Sequence, residues 1–154
     1  MSGRGALVLL PDPAATEAFG AALGALLRPG DVITLSGPLG AGKTSIARGL
    51  LAALGLTGEA PSPSFAIVQP YAPPEVRLPV LHVDLYRIEG AGELEELGLD
   101  EALGDSALVV EWPERAGEGR WPEALALALA ILPDGTRRLT ARVPAAWEDR
   151  WPPT

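Results

Sequence analysis

Gly37-Pro38-Leu39-Gly40-Ala41-Gly42-Lys43-Thr44 is the stretch whose reading decides the fold. It follows Val32-Ile33-Thr34-Leu35, an apolar run that reads as a buried strand. It opens onto Ser45 to Leu54, whose apolar residues recur at helical spacing. A strand, a glycine loop and a helix in that order fit the pattern GxxxxGK[ST]. Each position has a physical reason. Wrapping a polyphosphate needs successive backbone N–H groups to converge on it, and Gly37, Gly40 and Gly42 adopt the required dihedrals at little cost. Leu39, Ala41 and Ser45 complete the lining, and the helix start adds free N–H groups and the positive end of its dipole. Lys43 is expected to set a compact ammonium on the β- and γ-phosphates. The Thr44 hydroxyl is expected to take one place on an octahedral Mg²⁺.

Composition sharpens this reading. Of twelve basic residues, eleven are arginine and Lys43 is the one lysine. It stands at the position where a planar guanidinium has the wrong shape. The 154 residues suffice for one domain with a real core, and no apolar run approaches the roughly 20 residues of a membrane span. The start of the chain has too short an apolar run for a signal peptide, so the expected location is the cytoplasm, with no membrane partner. The absence of cysteine excludes disulfides, thiolate metal sites and cysteine nucleophiles. A net charge of −8 argues against broad binding to nucleic acid by charge, so any RNA is expected to be held through a partner.

Along the chain, Ala6 to Leu10 reads as a first strand. Asp12 and Pro13 open a helix as N-cap and first residue, and Pro29-Gly30 close it. After the loop and its helix, Phe65 to Val68, Val80 to Leu85 and Ala107 to Val110 read as strands. Pro70 to Pro74 reads as a turn, and Glu93 to Leu103 as a broken helical stretch. Asp134-Gly135 signals a hairpin joining Leu125–Ile131 to Arg138–Val143. The last ten or so residues, with Trp147 and Trp151, form a tail packed back on the core. The expected fold is thus α/β: a single P-loop domain over residues 1–154, with a mostly parallel central sheet flanked by helices and a C-terminal β-hairpin.

Ligands of open α/β sheets bind beyond the carboxyl ends of the strands, which singles out Asp84 and Glu111. A nucleoside triphosphate needs a carboxylate near its Mg²⁺, and hydrolysis needs a group that orients water. Asp84 and Glu111 can supply both. His82, the sole histidine, either packs or orients Asp84; Arg87 either pairs with a carboxylate or faces a partner. Ser62-Pro63-Ser64-Phe65 is either an ordinary turn or a switch segment whose hydroxyl senses the γ-phosphate. Trp112 either packs in the core or covers a base.

Gly37 to Thr44, Ser62-Pro63-Ser64-Phe65, His82-Val83-Asp84-Leu85-Tyr86-Arg87, Glu93-Leu94 with Leu97-Gly98, and Glu111-Trp112-Pro113 stand in the order and spacing of one family. From about Asp12 to Pro122 the chain resembles the TsaE family, bacterial P-loop ATPases of tRNA threonylcarbamoyladenosine synthesis. The resemblance implies ATP on the loop and Mg²⁺ near Thr44, Glu111 and Asp84, with Ser64 and Asp84 in switch-like segments. It implies weak ATPase activity alone and work with the TsaD and TsaB proteins, which transfer the threonylcarbamoyl group to adenosine 37 of tRNA. It also sets Thr16 on the adenine side and Arg138, in the hairpin, near the nucleotide. Two positions depart from the family: Pro38 replaces an acid common after the first loop glycine, and Ser64 replaces a threonine. If that acid takes part in turnover, Pro38 implies a slower ATPase. The rival is a small-molecule P-loop kinase, which would need lid arginines; between the last core strands only Arg115 and Arg120 offer themselves. A third reading is a nucleotide-binding subunit without turnover.

Overall fold

Strand β2 (Val32–Ser36) is buried along nearly its whole length because it runs through the middle of the sheet, between two strands that lie far on in the sequence. The structure, a computed structural model, describes residues 4–58, 68–88, 90–117 and 119–153. Seven strands form one sheet: β1 (Arg4–Leu10), β2, β3 (Val68–Tyr71), β4 (Val80–Asp84), β5 (Ala107–Glu111), β6 (Leu125–Ile131) and β7 (Arg137–Val143). Their order is β1-β7-β6-β2-β5-β4-β3. The β6-β2-β5-β4 centre is parallel; β1, β7 and β3 pair antiparallel at the sides. The expected central parallel sheet and the hairpin of β6 and β7 are both present.

Helices α1 (Pro13–Leu26) and α2 (Lys43–Ala53) cover one face, packing with Ile33, Leu35, Val109 and Leu127. Asp12 caps α1, its carboxylate accepting from the Ala15 N–H at 2.8 Å. The two helices touch through glycines. A Cβ at Gly20 would lie 2.2 Å from the Ile46 carbonyl oxygen, and one at Gly49 would lie 2.2 Å from that of Glu17. The other face carries α3 (Ala91–Glu96) and α4 (Leu99–Ala102), whose Leu94 and Leu99 pack with Leu108, Val110 and Trp121. The expected break in this helical stretch falls at Gly98, in a left-handed conformation at φ 66°.

One expectation changes. Pro70 and Tyr71, read as the start of a turn, belong to β3. Proline is tolerated there because β3 is an edge strand and needs no ladder donor on its open side. Of the strand expected at Phe65 to Val68, only Val68 falls among the described residues. The tail does return to the core. Trp147 is fully buried, and Arg150 stacks on its ring at 3.9 Å while pairing with Asp31 and donating to the Leu26 carbonyl.

Candidate functional site

The parallel centre brings the carboxyl ends of β2, β4 and β5 side by side, so the glycine loop, Asp84 and Glu111 share one edge. The loop folds as its glycines require. Gly37, Gly40 and Gly42 have φ of 136°, 79° and 108°. A Cβ on Gly37 would lie 2.5 Å from the Leu129 carbonyl oxygen, so glycine is needed there for space as well as dihedral. Gly42 is the N-cap of α2 and offers no side-chain cap, which leaves first-turn N–H groups for a ligand. Leu39 projects at the loop tip, 73% exposed.

Lys43 opens α2 and folds back over the loop. Its Nζ donates to the carbonyl oxygens of Gly37 and Pro38, and it lies 3.8 Å from the centroid of the Trp112 ring. Burial lowers its pKa, and the negative charges of Glu111, Glu114 and Asp84 act the other way. The Thr44 hydroxyl sits 3.3 Å from each carboxylate oxygen of Glu111, which ends β5 and is buried. His82 lies one strand over on the same sheet face, and its Nε2 approaches Glu111 Oε2 at 2.7 Å. With a carboxylate as acceptor, Nε2 is the donor, so His82 orients Glu111. The His82 Nδ1 is buried without a partner among the described residues.

Asp84 pairs in register with Glu111 across β4 and β5 and is half-buried. Burial raises its pKa and Glu111 adds to this, while the Tyr86 N–H, donating to Asp84 Oδ1 at 2.9 Å, works against both. These oxygens and the Thr44 hydroxyl form the hard donor set that suits Mg²⁺. Among the described residues no group of three or more acidic, histidine or cysteine side chains makes a cage by itself.

Beside the loop, Asp12, Thr16, Gly40, Ser45, Asp134 and Arg137 line a cavity of about 290 Å³. Thr16 is therefore next to the loop. Arg138 is not: Leu139, Ala141 and Val143 point into the helix-covered core, so Arg138 lies on the opposite face of β7. Its neighbour Arg137 reaches the loop instead, donating to the Gly40 carbonyl oxygen at 3.1 Å. The alternation of Leu139, Ala141 and Val143 carries this distinction in the sequence. Ser64 and the rest of Ser62-Pro63-Ser64-Phe65 lie outside the described residues. Trp112, which follows Glu111, has a left-handed backbone at φ 59° and packs against Tyr86, the rings tilted by 54° with centroids 4.9 Å apart.

A buried strand, a glycine loop closing on a helix start, and acids at adjacent strand ends define a P-loop α/β protein. The model of the family described as threonylcarbamoyl adenosine biosynthesis protein TsaE matches residues 10–139, and the chain belongs to the TsaE family. A Streptomyces coelicolor relative named tRNA threonylcarbamoyladenosine biosynthesis protein TsaE is 47% identical over 106 residues, 68% of this chain and 69% of its own length. A Bacillus subtilis relative of the same name is 38% identical over 130 residues, 84% and 80% of the two chains. The fold is similar to the crystal structure of Bacillus subtilis YdiB, with a TM-score of 0.77 and 30% identity, over 97% of this chain and 91% of that one.

Proposed function

We propose that this chain is an ATP-binding, Mg²⁺-dependent ATPase subunit of tRNA N6-threonylcarbamoyladenosine modification, acting as a nucleotide-driven switch on a complex of TsaD and TsaB. The observation that carries the reading is the junction of Thr44 with Glu111, seated by His82 at the mouth of the glycine loop. Threonine at a loop end and a carboxylate at a neighbouring strand end are the two protein oxygens a nucleotide-bound magnesium asks for.

Thr44 and Glu111 would hold the Mg²⁺, with Asp84 alongside. When bound, the ion would offset the negative charge of the phosphates. Lys43 leaves the Gly37 and Pro38 carbonyls for the phosphates, and the N–H groups of the loop and of α2 bind their oxygens. Asp84, half-buried beside Glu111, orients water on the γ-phosphate side. Arg120, offered by the kinase reading as a lid residue, is bound to both carboxylate oxygens of Asp100 at 3.0–3.1 Å, which favours the ATPase over the kinase. tRNA is met through the TsaD and TsaB proteins, because the chain's net charge of −8 opposes direct binding.

The test is ATP hydrolysis by the purified chain with Mg²⁺, alone and with TsaD and TsaB from the same source. A low basal rate that rises severalfold with the partners is expected. Lys43→Ala should remove turnover and weaken ATP binding at least tenfold, with an unchanged circular dichroism spectrum. Retained turnover in that variant would sink the site assignment.

A further inference from the structure

Four side chains stand in file from the phosphate loop to the surface. The Lys43 ammonium lies 3.8 Å from the Trp112 ring centroid, the Trp112 ring 4.9 Å from that of Tyr86, and the Arg115 guanidinium 5.2 Å from the Tyr86 ring. The inner end is buried and the outer end is open, with Tyr86 42% exposed and Arg115 exposed. Trp112 is the joint. It is the one non-glycine residue at positive φ among the described residues, at the point where β5 ends on Glu111. A backbone held in a sparsely populated conformation at such a place marks a segment whose geometry is imposed by its contacts and changes with them. Arg115 forms no ion pair among the described residues; its charge is spent on the face of Tyr86.

We infer that Tyr86 and Arg115 are the contact through which a partner protein, presenting a carboxylate against the guanidinium and an apolar group against the tyrosine ring, acts on Lys43. A carboxylate offers Arg115 a bidentate pair, a stronger attachment than the ring face it now covers. Drawing Arg115 away unloads Tyr86, and Tyr86 is the outer support of Trp112. Trp112 in turn holds the ammonium that must leave the loop carbonyls for a phosphate. A single carboxylate suits the place better than a nucleic-acid backbone. Asp84, Glu111 and Glu114 surround Lys43 with negative charge, and successive phosphates would meet it repeatedly.

The inference rests on the partner-gated reading above, and one experiment separates them. Steady-state ATP hydrolysis and ATP affinity are measured for the full chain, Arg115→Glu, Tyr86→Ala and Tyr86→Phe, each with and without TsaD and TsaB. Arg142→Ala, on the far face of β7, serves as the control. Arg115→Glu and Tyr86→Ala should keep ATP affinity within about twofold and lose at least tenfold of the partner stimulation. Tyr86→Phe, which keeps the ring, should retain it. Calorimetry with the TsaD–TsaB complex should show weaker association for Arg115→Glu. Full stimulation of both variants overturns this inference while leaving the partner-gated ATPase standing. An equal loss of basal ATP affinity overturns it by moving the pair into the nucleotide site. Binding of tRNA alone that Arg115→Glu abolishes overturns it in favour of RNA. A wild-type chain that the partners do not stimulate sinks both readings.

Discussion

Asp84 is a charge the fold tolerates at a cost. Burial and the neighbouring Glu111 both raise its pKa, so the unfolded chain ionises at this position before the folded one does. The sign follows: a carboxyl whose folded pKa is raised favours the native state while protonated, and that advantage is lost as pH climbs above the ordinary value of 3.8. Asp84→Asn keeps an acceptor for the Tyr86 N–H and removes the charge. It should raise the midpoint of thermal unfolding at pH 7 by about 2 °C, with the gain shrinking as the pH is lowered towards 4. The same variant should lower Mg²⁺-dependent ATP turnover, and differential scanning calorimetry beside the hydrolysis assay checks both halves. The residue scale is also where the sequence was most and least informative. The dihedrals demanded of Gly37, Gly40 and Gly42 are local, so the loop could be read directly. The seating of Glu111 by His82 depends on β4 and β5 being neighbours, which no spacing along the chain expresses. Arg137 and Arg138 differ only in which face of β7 they occupy; resemblance pointed to Arg138, and alternation puts Arg137 at the loop.

At the scale of elements, the seam between α1 and α2 governs how the glycine loop is held, because α2 begins at Lys43. Gly20 and Gly49 let the two backbones approach so closely that an added Cβ would overlap a carbonyl. Gly20→Ala therefore sets a helix-propensity gain of roughly 1 kcal/mol against overpacking of roughly 1–3 kcal/mol or more. Overpacking wins, since backbone is what the methyl would strike, and urea unfolding should show a loss of about 1–2 kcal/mol. Gly92 in α3 makes the contrast: a Cβ there meets nothing within 4 Å, so Gly92→Ala should gain roughly 0.5–1 kcal/mol in the same measurement. Most elements announced themselves by period and by punctuation, as Asp12-Pro13 did for α1. Strand β3 did not, since proline at Pro70 signals a turn unless one knows the strand lies on an edge.

For the whole molecule, the closing contact is Arg150. Its guanidinium pairs with Asp31 at 2.8 and 3.1 Å, donates to the carbonyls of Leu26 and Ala146, and stacks on Trp147. It thus ties the tail to the end of α1 and the approach to β2. The α1 C-terminus has no basic residue of its own in the last turn, and distant arginines serve it: Arg150 on Leu26 and Arg77 on Gly24. Removing one partner of a buried pair strands the other, so Arg150→Ala should destabilise by about 3 kcal/mol, seen as a shifted urea midpoint with ATP affinity kept at low temperature. The tail's two tryptophans hinted at its return to the core. Its partner Asp31, more than a hundred positions earlier, carried no such hint.

The order of the strands has a consequence for how the protein is made. Strand β2 leaves the ribosome early, but its neighbours are β5 and β6, which end at Glu111 and Ile131. Until residue 131 has emerged, the backbone beneath the glycine loop lacks at least one flank, and Gly37 lacks Leu129, against which it closes. A nascent chain therefore stays without a formed nucleotide site through most of translation, and competence arrives late and all at once.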